Sequence, residues 1–497
     1  MSSLTERLSA EYFATGTLAG LPQGHFIDGA FVAPVSGRTM ESFDPGTGRA
    51  FTRFAAGEAD DIDRAVRAAD RAQRGDWRRC APAERGRILQ RTAQAILAQA
   101  ERLAVIETID NGKPLAEAQA DLRSAARVFE YYAGAADKLQ GETIPLGHDY
   151  VSMAVKEPVG VTAHVIPWNY PASTLARGIA PALAAGCTAV VKPAEQTPLS
   201  ALLIAELVHQ AGAPAGVCNV VTGTGAAAGG PLVSHPLVRH VTFTGSVGTG
   251  KRVMQAAAPN ITAVTLELGG KSPAVVLADA DLERAVGDVL WAIFYNAGQT
   301  CSAGSRLVIE RSVHARFVEQ LAERAQALRC GHGLRAPDIG AINSSQQLER
   351  IAGYVDGARA RGVRVAAGGE RCVDPVDGGG WFYRPTILDA VPAQDAVVQE
   401  EIFGPVLSVQ VADSPEEALA LANGTPYGLA AGIYTRDITR ALQLARDLDC
   451  GQVYVNEYFA GGIETPFGGN KHSGFGRERG LEGIGPYLRT KCISVRI

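Results

Sequence analysis

The stretch FYNAGQTCSAGSRLVIE, ending at Glu310, holds one cysteine, Cys301, between Gly298 and Gly304, in what reads as a loop between a helix and a strand. A structural cysteine behaves as a small hydrophobe and usually sits in an apolar run. Cys301 instead has Gln299, Thr300 and Ser302 around it, and flanking glycines that let the backbone bend tightly. A thiol so placed is a candidate nucleophile. In VIPWNYPAS two prolines stiffen the loop around Asn169, whose side-chain amide could donate to a developing oxyanion or could merely close a turn. In VTLELGGKSP, Glu267 ends a strand between Leu266 and Leu268 and precedes a Gly-Gly turn. Apolar company raises a carboxyl pKa, as a general base working near neutral pH requires, although a buried Glu paired with Lys or Arg fits the same pattern.

A second group of features suits a dinucleotide. GTGAAAGG, beginning at Gly223, matches a glycine fingerprint, but 56 glycines generate such matches by chance. FTGSVGTGKRV sets Gly245 and Ser246 between a strand and a helix, where backbone N–H groups and the helix dipole favour a phosphate; a Ser N-cap alone explains it equally simply. VVKPAEQTP ends a strand with Lys192 and Glu195, which could serve ribose hydroxyls or form a solvated ion pair. The nine histidines show no HxH or HExxH spacing, and there is no G-x-S-x-G elbow or P-loop, so metal, serine-hydrolase and NTPase chemistry are not expected.

The elements that must hold these residues are legible in outline. Residues 60–134 are Ala-rich with helical spacing; from Val151 onward short apolar runs (VGVTAHVI, CTAVVKP, GVCNVVTG, HVTFTGS, AVTLELGG) alternate with helical stretches such as STLARGIAPALAAG, which predicts a parallel α/β sheet. The length of 497 residues suggests two or three lobes, and a second alternating series begins near Lys271, where a second α/β lobe is expected to start. With 46% hydrophobic and 20% charged residues and a net charge of -5, the chain offers no basic block for nucleic acid or an anionic membrane. No secretory signal, spanning segment or CxxC pair is present, which points to the cytoplasm and reduced thiols.

Taken together and in order, PWNYP, KPAEQTP, FTGS, LELGGKSP, GQTCSAGSR, EEIFGPV and PFGGNKHSGFGRE resemble the NAD(P)-dependent aldehyde dehydrogenase superfamily over nearly the whole chain. The resemblance implies two Rossmann-type α/β lobes and a small β oligomerisation arm. The expected division is 1–136 and 157–266 for NAD binding, 267–467 for catalysis, and 137–156 with 468–497 for the arm and tail of a homodimer or homotetramer. By motif, Cys301 is implied as nucleophile, Asn169 with the Cys301 N–H as oxyanion hole, and Glu267 as base. Cofactor contacts are implied at Pro167, Trp168, Lys192, Glu195, Gly225, Gly229, Gly245, Ser246, Gln347, Glu401 and Phe403.

The implied reaction adds the thiolate to an aldehyde, passes hydride to NAD, and hydrolyses the resulting thioester with water activated by Glu267. Many relatives carry a Lys where Gly178 stands, as partner to a glutamate matching Glu478, so that proton relay is expected to lack its partner. For the substrate, Arg177 could pair with a distal carboxylate. Tyr170, Tyr295, Tyr458 and Phe459 imply an aromatic tunnel, which ranks an aromatic or medium-chain aldehyde above an ω-carboxy semialdehyde. Glu267 argues against transfer to CoA, and the intact Cys301, Asn169 and Glu267 argue against a non-catalytic structural protein.

Overall fold

The computed structural model describes residues 3–497. Its first sheet has eight strands in the order Ala30–Val32, His25–Ile27, Cys218–Val220, Thr188–Lys192, Val161–Val165, Val238–Thr244, Ala263–Glu267, Gly474–Phe475. The five strands from Cys218–Val220 to Ala263–Glu267 run parallel, and the outer ones pair antiparallel. Strands Cys218–Val220, Thr188–Lys192 and Val161–Val165 are buried along nearly their whole length, as a sheet covered by helices on both faces requires. By chain position the parallel strands lie 3-2-1-4-5, so the order reverses between Val161–Val165 and Val238–Thr244. At such a reversal the loops beyond the strand ends diverge to opposite faces and leave a crevice. The loops here are those of Trp168 and Ser246.

The second sheet has seven strands, in the order Arg364–Ala367, Thr386–Asp389, Val406–Ala412, Arg306–Glu310, Pro273–Val276, Ala430–Tyr434, Gln452–Val455. All neighbours run parallel except the first pair. A third, antiparallel sheet joins Leu488–Arg496 to Tyr150–Pro158 and Glu142–Ile144. The tail from residue 468 therefore first closes an edge of the first sheet, through Gly474–Phe475, before it enters this arm.

Helix Pro171–Ala185 lies at the centre of the largest apolar core, and all of its residues are buried. Pro171 starts it, where a missing N–H costs nothing, and Gly186 ends it in the left-handed conformation (φ 94). Its Ala-rich surface lets helix Leu115–Ala135 pack closely, and this rigid pair carries Asn169, Tyr170 and Arg177 toward the second sheet. Among the described residues no helix is long and apolar enough to cross a membrane.

Candidate active site

Cys301 sits on the loop between helix Leu282–Phe294 and strand Arg306–Glu310. The loop enters through Asn296 and Ala297 at positive φ (50 and 52) and Gly298 (φ 72). A Cβ at Gly298 would stand 2.1 Å from the Gly404 carbonyl, so no other residue fits without moving backbone. Gln299 then pins the loop. Its amide nitrogen donates to the Asn296 and Ala341 carbonyls (3.1 and 3.3 Å), and its side-chain oxygen accepts from the Asn343 N–H (2.9 Å). The Gly-Gly turn after Glu267 passes underneath: a Cβ at Gly269 would meet the Glu401 carboxylate at 2.2 Å, and one at Gly270 the Cys301 carbonyl at 2.6 Å.

Asn169 is buried, and one N–H of its side chain donates to the Gln299 carbonyl (2.9 Å). Its own backbone carbonyl accepts from Lys113 Nζ (2.9 Å) and from the Asn296 side chain (3.0 Å). Lys113 is in turn ion-paired with Asp121 in full burial. The amide is thus fixed from two directions, with its second N–H left for a ligand.

Glu267 ends its strand fully enclosed, and neither carboxylate oxygen has a hydrogen-bond partner among the described residues. Burial, and then the Glu478 charge, push its pKa well above the carboxylate range, against the pull of Arg177. Burial likewise pushes the Cys301 thiol up to about 11, with Arg177 opposing it. At pH 7 in the free protein the Cys301 thiol is therefore protonated.

Two cavities meet at Cys301. One, of about 140 Å³, lies in the crevice of the first sheet and is lined by Pro167, Trp168, Gly245, Ser246, Glu267 and Phe403 among others. Ser246 caps helix Val247–Ala257 by accepting from the Thr249 N–H, so the N-cap reading of this turn holds. Glu401 lines the same cavity, its carboxylate accepting from the Gly270 N–H (3.1 Å) while burial raises its pKa to about 7. The other cavity, of about 270 Å³, leads away from Cys301 between aromatic walls that include Tyr170, Trp291, Tyr295 and Phe459.

One expected residue sits elsewhere, and others have partners that the sequence did not show. Gln347 borders the first cavity but spends its amide on the Ile402 and Phe403 carbonyls (2.9 and 2.8 Å), so it shapes the Phe403 loop. Lys192 and Glu195 form an ion pair (3.0 Å) in which Lys192 is buried rather than solvated, and Gly229 lies beside the Lys192 stem; with Gly225 they stand apart from the Cys301 cavities. Tyr458 does not line the tunnel: it is buried behind the thiol loop and donates to the Ser302 carbonyl (3.1 Å).

Arg177 does line the tunnel, but it is ion-paired with Glu478 at 2.5 Å. Glu478 therefore has a partner one position before the expected one. Gly178 faces His164 instead, where a Cβ would come within 2.8 Å of Nδ1, so a lysine there has no room.

Residues 31–493 match the model of the aldehyde dehydrogenase family. The chain belongs to the aldehyde dehydrogenase family. The aldehyde dehydrogenase of Aspergillus niger is 41% identical over 478 residues, covering 96% of this chain and 95% of that protein. Among solved structures, a mutant of the P. syringae AldA indole-3-acetaldehyde dehydrogenase, in complex with NAD+ and IAA, is 38% identical, covers all of both chains and superposes with a TM-score of 0.96. The betaine aldehyde dehydrogenase of Staphylococcus aureus, in complex with NAD+, is 39% identical over 96% of this chain and 95% of that one, with a TM-score of 0.94.

Sequence reading missed Thr244, Gly269 and Arg350 in the crevice, and Trp291, Tyr454, Phe467 and Arg479 in the tunnel. For Thr244 a signal existed, since it ends the strand whose turn was singled out. For Arg479 there was none, because a charged residue in a Gly-rich loop reads as solvated surface.

The raised thiol pKa sets a testable pH dependence. In the free protein, alkylation of Cys301 by iodoacetamide, followed by peptide mass spectrometry, is expected to be slow at pH 7 and to rise about tenfold per pH unit into the range near 11, because only the thiolate reacts. A rate that levels off below pH 8 contradicts this environment.

Proposed function

We propose that this aldehyde dehydrogenase oxidises aromatic or medium-chain aldehydes to carboxylic acids with NAD+, using Cys301 as nucleophile, Asn169 as oxyanion donor and Glu267 as general base. The observation that carries the reading is that Cys301 borders both cavities, so one thiol faces the nucleotide crevice and the aromatic tunnel at once. The residues present suit NAD: a crevice at the strand-order reversal, a helix N-terminus at Ser246 for the pyrophosphate, and the Lys192–Glu195 pair for the adenosine ribose. When bound, NAD+ supplies the hydride acceptor.

The chain's own residues perform the rest. Cys301, as thiolate, adds to the carbonyl carbon, and the Asn169 amide with the Cys301 N–H receives the alkoxide. Once the substrate is oxidised to a thioester on Cys301, Glu267 takes a proton from water, the hydroxide attacks the thioester carbon, and the C–S bond breaks to give the acid and the thiolate. A carboxyl whose pKa is raised by burial is a stronger base, once ionised, than an ordinary glutamate. Arg177 is already ion-paired with Glu478, which weighs against it as a free carboxylate anchor and favours the aromatic over the ω-carboxy reading at that position.

In this proposal 1–136 and 157–266 bind NAD, 267–467 carry catalysis, and 137–156 with the end of the chain form the arm. Exposed Val151, Ile493 and Val495 on the arm sheet support pairing into a homodimer or homotetramer. The free cysteines fit a cytoplasmic setting.

Replacing Cys301 with Ala is expected to abolish aldehyde oxidation while NAD binding, followed by fluorescence titration, stays near wild type. Residual activity within about tenfold of wild type, ~1.4 kcal/mol of barrier, removes Cys301 from the nucleophile role. For cofactor choice, the Glu195 carboxylate accepts from a ribose 2′-hydroxyl and repels a 2′-phosphate. A higher kcat/KM with NAD than with NADP is expected, and a clear NADP preference refutes the assignment of Glu195.

A further inference from the structure

Three charged residues line the tunnel: Asp121, Arg177 and Arg479. Asp121 is neutralised by Lys113 and Arg177 by Glu478. The Arg479 guanidinium has no hydrogen bond or ion pair with any described residue; it lies over the Phe467 ring, 4.9 Å from the centroid, and Arg177 stacks on the same ring at 4.8 Å. Its backbone is held at φ 60, a left-handed conformation disfavoured for a residue with a Cβ. Burial and the neighbouring Arg177 lower its pKa to about 10, which still leaves it charged at neutral pH. Glu478, next to it in the chain, acts on it as a nearby negative charge but is ion-paired with Arg177, so a guanidinium that lines the cavity with no hydrogen bond or ion pair of its own, resting on an aromatic face, can receive an anion.

We propose that Arg479 receives a carboxylate on the substrate, so that the preferred aldehyde has a flat apolar body against the aromatic walls and an anionic group remote from the aldehyde. This deepens the proposed function and rests on it, because it takes the tunnel as the aldehyde's path to Cys301. The guanidinium offers a fork of N–H donors to a carboxylate, while Arg177 remains committed to Glu478. The specificity residue is thus supplied by the GRERG loop rather than by the buried helix Pro171–Ala185.

The experiment compares kcat/KM, with saturating NAD, for 3- and 4-carboxybenzaldehyde against their neutral counterparts 3- and 4-methylbenzaldehyde, in wild type, Arg479→Leu and Arg479→Lys. In wild type at least one carboxylated isomer is expected to exceed its methyl counterpart tenfold or more. In Arg479→Leu that ratio is expected to collapse about tenfold or more, chiefly through KM, with partial recovery in Arg479→Lys. A wild-type ratio near or below one for both isomers overturns the proposal, and so does an equal loss on charged and neutral aldehydes, which would assign Arg479 to the thiolate or to the fold. Should Arg479→Leu not fold, competition in wild type decides: isophthalate or terephthalate must inhibit oxidation of 3-methylbenzaldehyde more tightly than the toluates do, and equal inhibition overturns the proposal. If wild type oxidises none of these aldehydes but does oxidise hexanal, the aromatic reading itself fails and this proposal with it.

Discussion

The hydrogen bond from the Asn169 side chain to the Gln299 carbonyl, 2.9 Å long, ties the loop above the first sheet to the loop that carries Cys301 beside the second. Because Lys113 and the Asn296 side chain hold the Asn169 carbonyl from behind, neither loop can shift alone. Leaving one such buried group unsatisfied costs about 1–3 kcal/mol, more than the net worth of an ordinary hydrogen bond, so the arrangement resists partial loosening. The consequence is chemical. The thiol and the amide donor keep a fixed relation across a seam between two independently wound sheets, and a donor fixed in advance stabilises a developing oxyanion without reorganising at the moment of reaction.

Burial is the second constraint, and it acts on Cys301, Glu267 and Glu401. The Glu267 carboxyl is pushed well above the carboxylate range, Glu401 is raised to about 7 and the Cys301 thiol to about 11. Arg177 is the counterweight that lowers both Cys301 and Glu267, and Glu478 keeps it in place. Removing one member of a buried pair of this kind costs about 3–5 kcal/mol, because the other is left charged without a partner. The pair is therefore part of the electrostatic frame of the thiol. The arrangement uses a residue at 177 that projects into the tunnel, since position 178 is closed by His164.

Much of this was legible in the sequence, for reasons that are local. Short apolar runs such as CTAVVKP and HVTFTGS became the parallel strands Thr188–Lys192 and Val238–Thr244 because such runs are buried on both faces. The turn at Ser246 was readable because a cap and a helix start have a fixed chemistry. What could not be read were relations between distant segments. The pairing of Arg177 with Glu478 joins a central helix to a loop near the end of the chain. Tyr458 and Phe459 are adjacent, yet one turns behind the thiol loop and the other into the tunnel, and only the φ of 61 at Phe459 and the packing around it decide which. Gln347 donates its side-chain amide to the Phe403 loop, a link between distant segments that the sequence does not show. Arg479 was invisible because nothing in GRERG tells a guanidinium lining a cavity from a solvated one.

The central claim is that Cys301 carries the acyl group and Glu267 releases it. It is tested most directly by intact-protein and peptide mass spectrometry of Glu267→Gln mixed with NAD and benzaldehyde. The account gives one equivalent of reduced cofactor in a burst, followed by a stable benzoyl adduct on the peptide containing Cys301, while wild type under the same conditions turns over without accumulating it. A Glu267→Gln variant that keeps steady turnover, or an adduct on any cysteine other than Cys301, contradicts the account.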